Sequence, residues 1–210
     1  GRLEFVTFQG NEEFDRKKGK GYGEALILEY ALEHSLFVHQ CDFLVKITGR
    51  LKLLNVNSMI GFHRYILPHC DIQSEMDRRE RYSDSRMLIT GKGFLQYSFL
   101  ARKERIDDSK GCNFEHILFT SIDEQKDFVF YPFLIRPLWR GISGTNGREY
   151  WEGNYTSLKL AYFKRMLNCM TEYNMCHPHN KPSMGVRLVL GMAGMAVGTV
   201  LRFFDWIKNE

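Results

Sequence analysis

The chain has 210 residues, of which 44% are hydrophobic and 26% charged, and its net charge is +4. These values are typical of one substantial globular domain, and the mild positive charge gives no support to a nucleic-acid partner. The five cysteines are widely spaced, odd in number and without a Cys-x-x-Cys pair, which favours reduced thiols in the cytoplasm.

Patterns in the first part of the chain alternate between strand and helix. They predict a strand at 3–9, a polar loop at 11–20, a helix through 25–32, a strand at 42–48 continued over 51–56, and a helix at 57–66. In the first helix, Leu28 and Leu32 lie four residues apart on one face. The run at 42–48 is apolar and β-branched, as in an interior strand.

The same alternation continues to about residue 133. The patterns predict strands at 69–72, 85–90 and 128–133, helices at 93–100 and 112–124, and a turn at 107–111. Alternating strands and helices predict an α/β fold with a mostly parallel sheet flanked by helices.

The composition changes from Gly141 onward, where residues 141–147 predict a glycine- and hydroxyl-rich loop. We therefore expect an α/β domain over residues 1–150 and a helical extension over 151–210. The chain starts without Met, close to the first predicted strand, so we also expect an N-terminal truncation. Residues 184–207 are apolar with basic flanks, which leaves open a membrane-surface helix or a helix packed on the protein.

A glycine-rich turn precedes the first predicted helix, with the sequence Gly19-Lys20-Gly21-Tyr22-Gly23-Glu24. Glycines let a backbone approach phosphate oxygens closely, and a helix N-terminus favours an anion. The spacing matches neither the Walker A nor the Rossmann fingerprint. Two interpretations stay open: a phosphate site at this turn, or a loop-to-helix junction in which Glu24 is a favourable first-turn acid.

The predicted strand at 42–48 ends in the run Lys46-Ile47-Thr48-Gly49-Arg50. Lys46 and Thr48 lie on the same side of an extended strand because side chains alternate. A lysine in an apolar strand needs an anionic partner. That partner is either a ligand phosphate, which Arg50 can also bind through its planar fork, or an internal carboxylate such as Glu24 or Glu29.

Asp84 and Arg86 stand just before another predicted strand. Asp84 suits a sugar hydroxyl or a divalent metal, and Arg86 suits an ion pair that fixes Asp84 in place. The chain has no Asp-x-Asp triplet, so a carboxylate-pair metal site lacks direct support, and no metal ligands are predicted.

Glu115 and His116 stand near the start of the predicted helix at 112–124. Neighbouring helical side chains point about 100° apart, so the two cannot both face one atom squarely. Glu115 is a candidate general base if it opens onto a ligand cleft. The alternative is an acid that stabilises the helix N-terminus.

Together these motifs resemble a bacterial family of glycosyltransferases from capsule and lipopolysaccharide O-antigen gene clusters. The shared pattern is Gly19-Lys20-Gly21-x-Gly23-Glu24, Asp42 through Lys46-Ile47-Thr48-Gly49-Arg50, Asp84-Ser85-Arg86, Asp108-Ser109-Lys110 with Phe114-Glu115-His116, and Gly141-Ile142-Ser143-Gly144. The resemblance spans roughly residues 15 to 150. It implies a GT-A-like fold, which is a single Rossmann-like α/β sandwich with a nucleotide-sugar cleft at the strand ends.

The resemblance also implies a reaction and its residues. A sugar would pass from a UDP- or GDP-sugar to a glycan or lipid-linked acceptor at the cytoplasmic membrane face, in surface polysaccharide biosynthesis. The implied catalytic residues are Glu115 and His116, and the implied donor-binding residues are Lys20, Gly21, Glu24, Lys46, Thr48, Gly49, Arg50, Asp84 and Arg86. Without Asp-x-Asp, metal dependence stays open, with Lys46 and Arg50 as alternative stabilisers of the leaving diphosphate.

Two other classes fit parts of the same pattern. The first is a non-catalytic module that binds phosphorylated or acidic glycans through the same residues. The second is a nucleotidyltransferase, but this class normally needs a carboxylate pair for Mg²⁺ that the chain lacks.

Overall fold

The computed structural model describes residues 2–10, 16–49, 51–67, 69–133, 135–142, 147 and 149–151. Apart from Trp151, the predicted helical extension at 151–210 lies outside these residues, together with its segment 184–207. Arg50 and residues 143–146 of the predicted glycine-rich loop also lie outside them. None of the helices in the described ranges combines the length and the apolar character needed to cross a membrane.

The described residues form four α-helices and nine strands. The helices are α1 (Lys20–His34), α2 (Leu36–His39), α3 (Val56–Ile66) and α4 (Phe114–Asp123). The strands are β1 (Phe43–Ile47), β2 (Leu51–Leu53), β3 (Ile72–Ser74), β4 (Met76–Asp77), β5 (Tyr82–Ser83), β6 (Met87–Gly91), β7 (Phe130–Pro132), β8 (Trp139–Ile142) and β9 (Glu149–Trp151). A π-helical turn (Phe94–Phe99) and 3₁₀ turns (Arg16–Lys18, Leu100–Arg105 and Asp108–Lys110) complete the set.

The main sheet has four strands in the order β1-β6-β3-β7. Strand β6 runs antiparallel to both β1 and β3, and only β3 and β7 are parallel. The mixed α/β class is therefore confirmed, but the prediction of a mostly parallel sheet is not. The physical reason lies between β3 and β6: that segment holds the β4–β5 hairpin instead of a crossover helix, so the chain turns back antiparallel.

The two faces of the main sheet are covered by different elements. Leu88 of β6 faces a core built with α1, α4 and the π-helical turn, which includes Ala25, Phe94 and Phe114. The neighbouring Met87 and Ile89 face the other way, into a core with Met59, Leu53, Phe133 and Trp139 from α3, the small β2-β8-β9 sheet and the chain between them. This alternation along β6 is the period of two that a strand buried on both faces requires.

Most predicted elements are present, with boundary shifts of a few residues. The predicted helices at 25–32, 57–66 and 112–124 correspond to α1, α3 and α4, and the predicted strands at 42–48, 69–72, 85–90 and 128–133 to β1, β3, β6 and β7. Strand β1, however, has β6 as its sole partner within the described chain. It therefore lies at a sheet edge there and not in the interior as predicted.

The predicted strand at 3–9 is wrong, because this segment has no regular secondary structure. Its carboxylate, Glu4, accepts hydrogen bonds from the Ser35 hydroxyl at 2.6 Å and from the Leu36 and Phe37 amides, so the segment caps α2. These bonds lower the pKa of Glu4. The residues of this segment favour extended structure, but the segment pairs with no strand of the described chain. The hydrogen bonds of Glu4 to the start of α2 hold it instead.

Cys41, Cys70 and Cys112 are free thiols, as the cysteine spacing predicted. Burial raises the pKa of the Cys70 thiol well above its usual range, which makes it an inert core side chain. Cys169 and Cys176 lie outside the described residues.

Candidate functional site

A groove of about 1760 Å³ opens on the face of the main sheet that carries α1 and α4. Its floor lies where the carboxyl end of β1 meets the amino end of β6, because the antiparallel register pairs Ile47 with Met87. The Thr48 amide donates to the Arg86 carbonyl at 2.9 Å and extends this contact beyond the strands. The pairing brings residues 46–49 next to residues 84–86, although they are far apart in the sequence.

The groove collects the site residues implied by the sequence. Its lining includes Lys20, Gly21, Glu24, Lys46, Thr48, Gly49, Asp84, Arg86, Glu115 and His116. Arg50, the remaining candidate, lies outside the described residues. The sequence interpretation placed these residues at the carboxyl ends of parallel strands. The structure brings them together through an antiparallel pair, the β4–β5 hairpin and two helix N-termini.

Lys46 projects from β1 into the floor of the groove, where its side chain is 10% exposed. Its ammonium group forms an ion pair with Glu24 of α1 and donates to the carbonyl of Ser85 and to Thr48 Oγ1 at 3.4 Å. An ammonium group has three protons, so these three acceptors match its full donor capacity. The internal ion pair with Glu24 is confirmed, whereas the other candidate partner, Glu29, pairs with Lys103.

The glycine-rich turn at the start of α1 already contacts an anion from the chain itself. The carboxylate of Asp108 accepts the Gly21 amide at 3.1 Å. Gly19 has φ +86°, and a Cβ there would lie 2.3 Å from Asp108 Oδ2, so the turn requires glycine for backbone conformation and for space. Asp108 thus provides the cap that Gly19 cannot, since Gly19 has no side chain for the exposed amides of α1. A phosphate bound at this turn would therefore have to displace the Asp108 carboxylate from the Gly21 amide or share that amide with it.

Asp84 and Arg86 form the ion pair that the sequence predicted. The guanidinium of Arg86 donates to both carboxylate oxygens of Asp84, with Nε at 2.8 Å from Oδ2, and the Arg86 amide donates to Oδ1 at 2.8 Å. The guanidinium also lies 5.8 Å from the centre of the Trp139 ring. This pair fixes part of the groove floor.

Glu115 stands in the first turn of α4, which begins where Asn113 accepts the His116 amide at 3.1 Å. Its Oε1 accepts a hydrogen bond from the buried Ser85 hydroxyl at 2.6 Å. His116 follows on the same turn, with its ring edge-on to Tyr82 at 6.2 Å between centroids. Its Nδ1 is buried and has no hydrogen-bond partner among the described residues. Glu115 and His116 both line the groove; the first has a carboxylate oxygen bound by Ser85, and the second has a buried nitrogen without a hydrogen-bond partner among the described residues.

Comparison with protein families, with curated proteins and with solved structures found no match to this chain. The likeness to capsule and O-antigen glycosyltransferases therefore stays a prediction that depends on the sequence motifs, and the properties of the groove follow from its lining residues alone.

The groove is richer in acids than the sequence motifs suggested. Among the described lining residues, seven carry carboxylates (Glu24, Glu75, Asp77, Glu80, Asp84, Asp108 and Glu115) and four are lysine or arginine (Arg16, Lys20, Lys46 and Arg86). Arg16 and Lys20 are exposed, and no described carboxylate lies within ion-pair distance of either. No group of three or more His, Cys, Asp and Glu side chains in the described ranges is placed to bind a metal ion.

Several of these residues were missed by the sequence interpretation. Arg16 stands in the basic run before the glycine-rich turn, which is the signal that could have identified it. Ser85 lies between the predicted site residues Asp84 and Arg86, and that position is the signal that could have identified it. Asp77 and Glu80 belong to the charged run at 77–81, whose mixed charges are typical of a solvated loop. The run does form the hairpin turn, but these two acids also line the groove.

Proposed function

We propose that this protein is a glycosyltransferase that moves a sugar from a UDP- or GDP-sugar to a glycan or lipid-linked acceptor in surface polysaccharide biosynthesis. One observation supports this most: ten of the eleven residues chosen from the sequence line a single groove. They come from four separate chain segments, so chance proximity in the sequence does not account for their meeting. The GT-A-like character of the fold, the cytoplasmic location and the membrane contact through residues 184–207 belong to the same proposal.

Glu115 is the proposed general base. Its Oε1 is held by Ser85, and none of the described residues donates a hydrogen bond to Oε2. In the reaction, Oε2 takes the proton of an acceptor hydroxyl, and the acceptor oxygen bonds to the anomeric carbon of the donor sugar. The bond from that carbon to the diphosphate breaks, and its electron pair leaves with the diphosphate. His116 also lines the groove and is the second proposed catalytic residue.

The leaving diphosphate needs positive charge, and the contacts of Lys46 limit its part in this. A phosphate oxygen would have to displace Glu24, the Ser85 carbonyl or Thr48 from its ammonium group. We therefore propose that Arg16 and Lys20 at the start of α1 bind the diphosphate, together with Arg50. Lys46 contributes through the electrostatic field of the groove floor and through its hold on Ser85.

The charge of the groove favours the enzyme over a module that binds acidic glycans. Seven lining carboxylates against four lysines and arginines repel a long polyanionic glycan more strongly than the single diphosphate of a donor molecule. The same excess of acids leaves room for a divalent cation carried by the donor, so the test below includes metal as a variable.

The test is a screen of UDP- and GDP-sugars for thermal stabilisation and for transfer or slow hydrolysis, with and without Mn²⁺. A donor at ~100 times its Kd stabilises the folded state by about 2.7 kcal/mol. That raises the Tm of a chain of this size by roughly 5–10 °C.

The variant for this test is Glu115→Gln, which keeps the shape and the hydrogen bond from Ser85. We expect it to keep donor-induced stabilisation and to lose about 10²- to 10⁴-fold in turnover. Glu33→Gln, an exposed change on α1 outside the groove, is the control and should behave as wild type. Stabilisation by an acidic polysaccharide and by no nucleotide sugar would instead identify a binding module. Wild-type turnover in Glu115→Gln would remove the role of Glu115.

A further inference from the structure

Ser85 lies in a short segment whose backbone is fixed on both sides. Before it, the Asp84 amide donates to the Glu75 carbonyl at 2.8 Å. After it, the Arg86 carbonyl accepts from the Thr48 amide at 2.9 Å, and the Arg86 side chain folds back onto Asp84. These contacts of Asp84 and Arg86 hold the backbone on both sides of Ser85, and none of them uses the Ser85 side chain.

Ser85 contacts two charged residues, Glu115 through its side chain and Lys46 through its backbone. Ser85 is 6% exposed, and its hydroxyl donates to Glu115 Oε1 at 2.6 Å while its carbonyl accepts from the ammonium group of Lys46. Lys46 is held in turn by its ion pair with Glu24. The contacts form a continuous series from α1 through β1 and residue 85 to the first turn of α4.

This series leaves the Glu115 carboxylate with two unequal oxygens. A serine hydroxyl carries one proton, and here it is directed at Oε1. No donor of the described chain reaches Oε2, and Glu115 lines the groove. Two freely rotating oxygens would sample many orientations, whereas a carboxylate tethered at one oxygen presents the other in a fixed direction.

We propose that Ser85 is a positioning residue: its hydroxyl tethers one oxygen of Glu115 so that the other oxygen receives the proton of the acceptor hydroxyl. This inference rests on the proposed function, because it assigns to Glu115 the part of general base. In this proposal Ser85 acts on Glu115 and not on the substrate. It acts through the orientation of Glu115, and Lys46 acts through its bond to the Ser85 carbonyl.

The first experiment compares crystal structures of the wild type and of Ser85→Ala. We expect the Glu115 side chain to change rotamer or to occupy two conformers in the variant, while α4 stays in place. A Glu115 side chain unchanged in Ser85→Ala would overturn the proposal. This readout does not need a known substrate. If Ser85→Ala does not fold, Ser85→Cys, which keeps the size but donates only weakly, takes its place with the same expectation.

The second experiment measures kcat and the donor KM. Misplacing a catalytic group by about 1 Å costs up to ~100-fold in rate, so Ser85→Ala should lower kcat by about 10- to 100-fold with little change in KM. Ser85→Thr restores the hydroxyl and should recover most of the rate. Ser83→Ala is the matched control: it removes another buried serine hydroxyl, bonded to Ser74 at 2.7 Å, without touching Glu115.

The possible outcomes separate the two proposals. An unchanged kcat in Ser85→Ala, or an equal loss in Ser83→Ala, would overturn the positioning role while leaving the glycosyltransferase intact. A wild type that transfers no sugar from any donor would overturn the proposed function. In that case the crystallographic comparison alone decides whether Ser85 holds Glu115.

Discussion

Two histidines on opposite faces of the main sheet have opposite surroundings. On the α3 face, His63 is 4% exposed and its Nδ1 pairs with Gln73 Oε1 at 2.9 Å, with the Phe43 ring 4.8 Å away. On the face that carries α1 and α4, His116 lines the groove with a buried Nδ1 that no described residue satisfies. A buried polar atom without a partner costs free energy, and native proteins retain few of them. On the α3 face, the buried histidine nitrogen has a hydrogen-bond partner within the described chain. On the groove face, the buried histidine nitrogen has none.

The groove face combines this unsatisfied atom with two internal ion pairs. Glu24 with Lys46 and Asp84 with Arg86 form a floor in which each charge is neutralised locally. Such pairs add little net stability compared with an apolar core, but removing one partner is expensive. Polar groups kept at a groove in spite of this cost are typical of a site used for function.

The largest expected effect on stability comes from Lys46→Met, which tests whether the groove floor is a coupled unit. Methionine keeps an unbranched side chain but removes the ammonium group, which lies 5.4 Å from the centre of the Phe114 ring, and so leaves Glu24 and the Ser85 carbonyl without the cation. Because water reaches Glu24, we expect the low end of the range for a broken buried pair, about 3 kcal/mol in the free energy of unfolding. Urea denaturation measures it.

The control is Lys103→Met, which breaks the other lysine–glutamate pair anchored on α1, between Lys103 and Glu29. This pair lies outside the groove lining, holds no carbonyl and is more exposed at the lysine, so we expect a loss of about 1 kcal/mol or less. Equal losses in the two variants would mean that the groove floor is an ordinary pair of surface charges.

The elements of this fold could be predicted from the sequence, but their pairing could not. Leu28 and Leu32 at helical spacing identified α1, and the apolar run ending at Lys46 identified β1. Strand direction depends on what connects the strands. Two-residue strands such as β4 and β5 are too short to leave a periodic signal, so the hairpin that reverses the chain could not be recognised.

For the candidate site, the sequence could identify residue types near turns and strand ends, and these residues do line one groove. It could not show that Lys46 is fully engaged, because the partners Glu24 and Ser85 come from α1 and from the segment before β6. Asp108 is the clearest case. Its carboxylate crosses 87 positions in the sequence to cap the Gly21 amide, and only the folded chain brings them together.

The second prediction removes the hydrogen-bond partner of His63, so that its Nδ1 is left unsatisfied like that of His116. In Gln73→Leu, His63 Nδ1 loses its partner while remaining buried, so we expect a loss of about 2 kcal/mol in the free energy of unfolding. In the double variant His63→Leu with Gln73→Leu, both polar groups are absent and most of the loss should return. Urea denaturation of the wild type, of Gln73→Leu, of His63→Leu and of the double variant completes a double-mutant cycle. Additive losses would show that the hydrogen bond is not what holds the pair.

The third prediction makes the reverse change at the groove. His116→Leu removes a buried nitrogen that has no partner in the described chain, so we expect stability to be kept or to rise by about 1 kcal/mol. Sugar transfer should fall in the same variant if His116 takes part in the proposed reaction. A destabilisation as large as that of Gln73→Leu would show that His116 is held by contacts as strong as those of His63, and the contrast between the two faces would fail.

The smallest effect is a pH dependence that should come from one histidine. Burial lowers the pKa of His63 from its ordinary value of 6.5, and the weaker opposing effect is the hydrogen bond to Gln73. Below pH 6.5 the unfolded chain therefore binds more protons than the folded one at this residue. The stability that neutral His63 contributes is fully present above pH 6.5 and is lost as the pH falls from there toward the lower folded pKa. Urea denaturation at pH 7.5 and pH 5.5 measures this loss.

The His63→Leu, Gln73→Leu double variant should lose less stability than the wild type over the same interval, because the titrating group is absent. Asp107 does not confuse this comparison. Hydrogen bonds from Lys110 and Ser109 lower the pKa of Asp107 to about 2, so its contribution changes only below its ordinary value of 3.8. If the double variant loses as much stability as the wild type between pH 7.5 and pH 5.5, the pH dependence comes from a group other than His63.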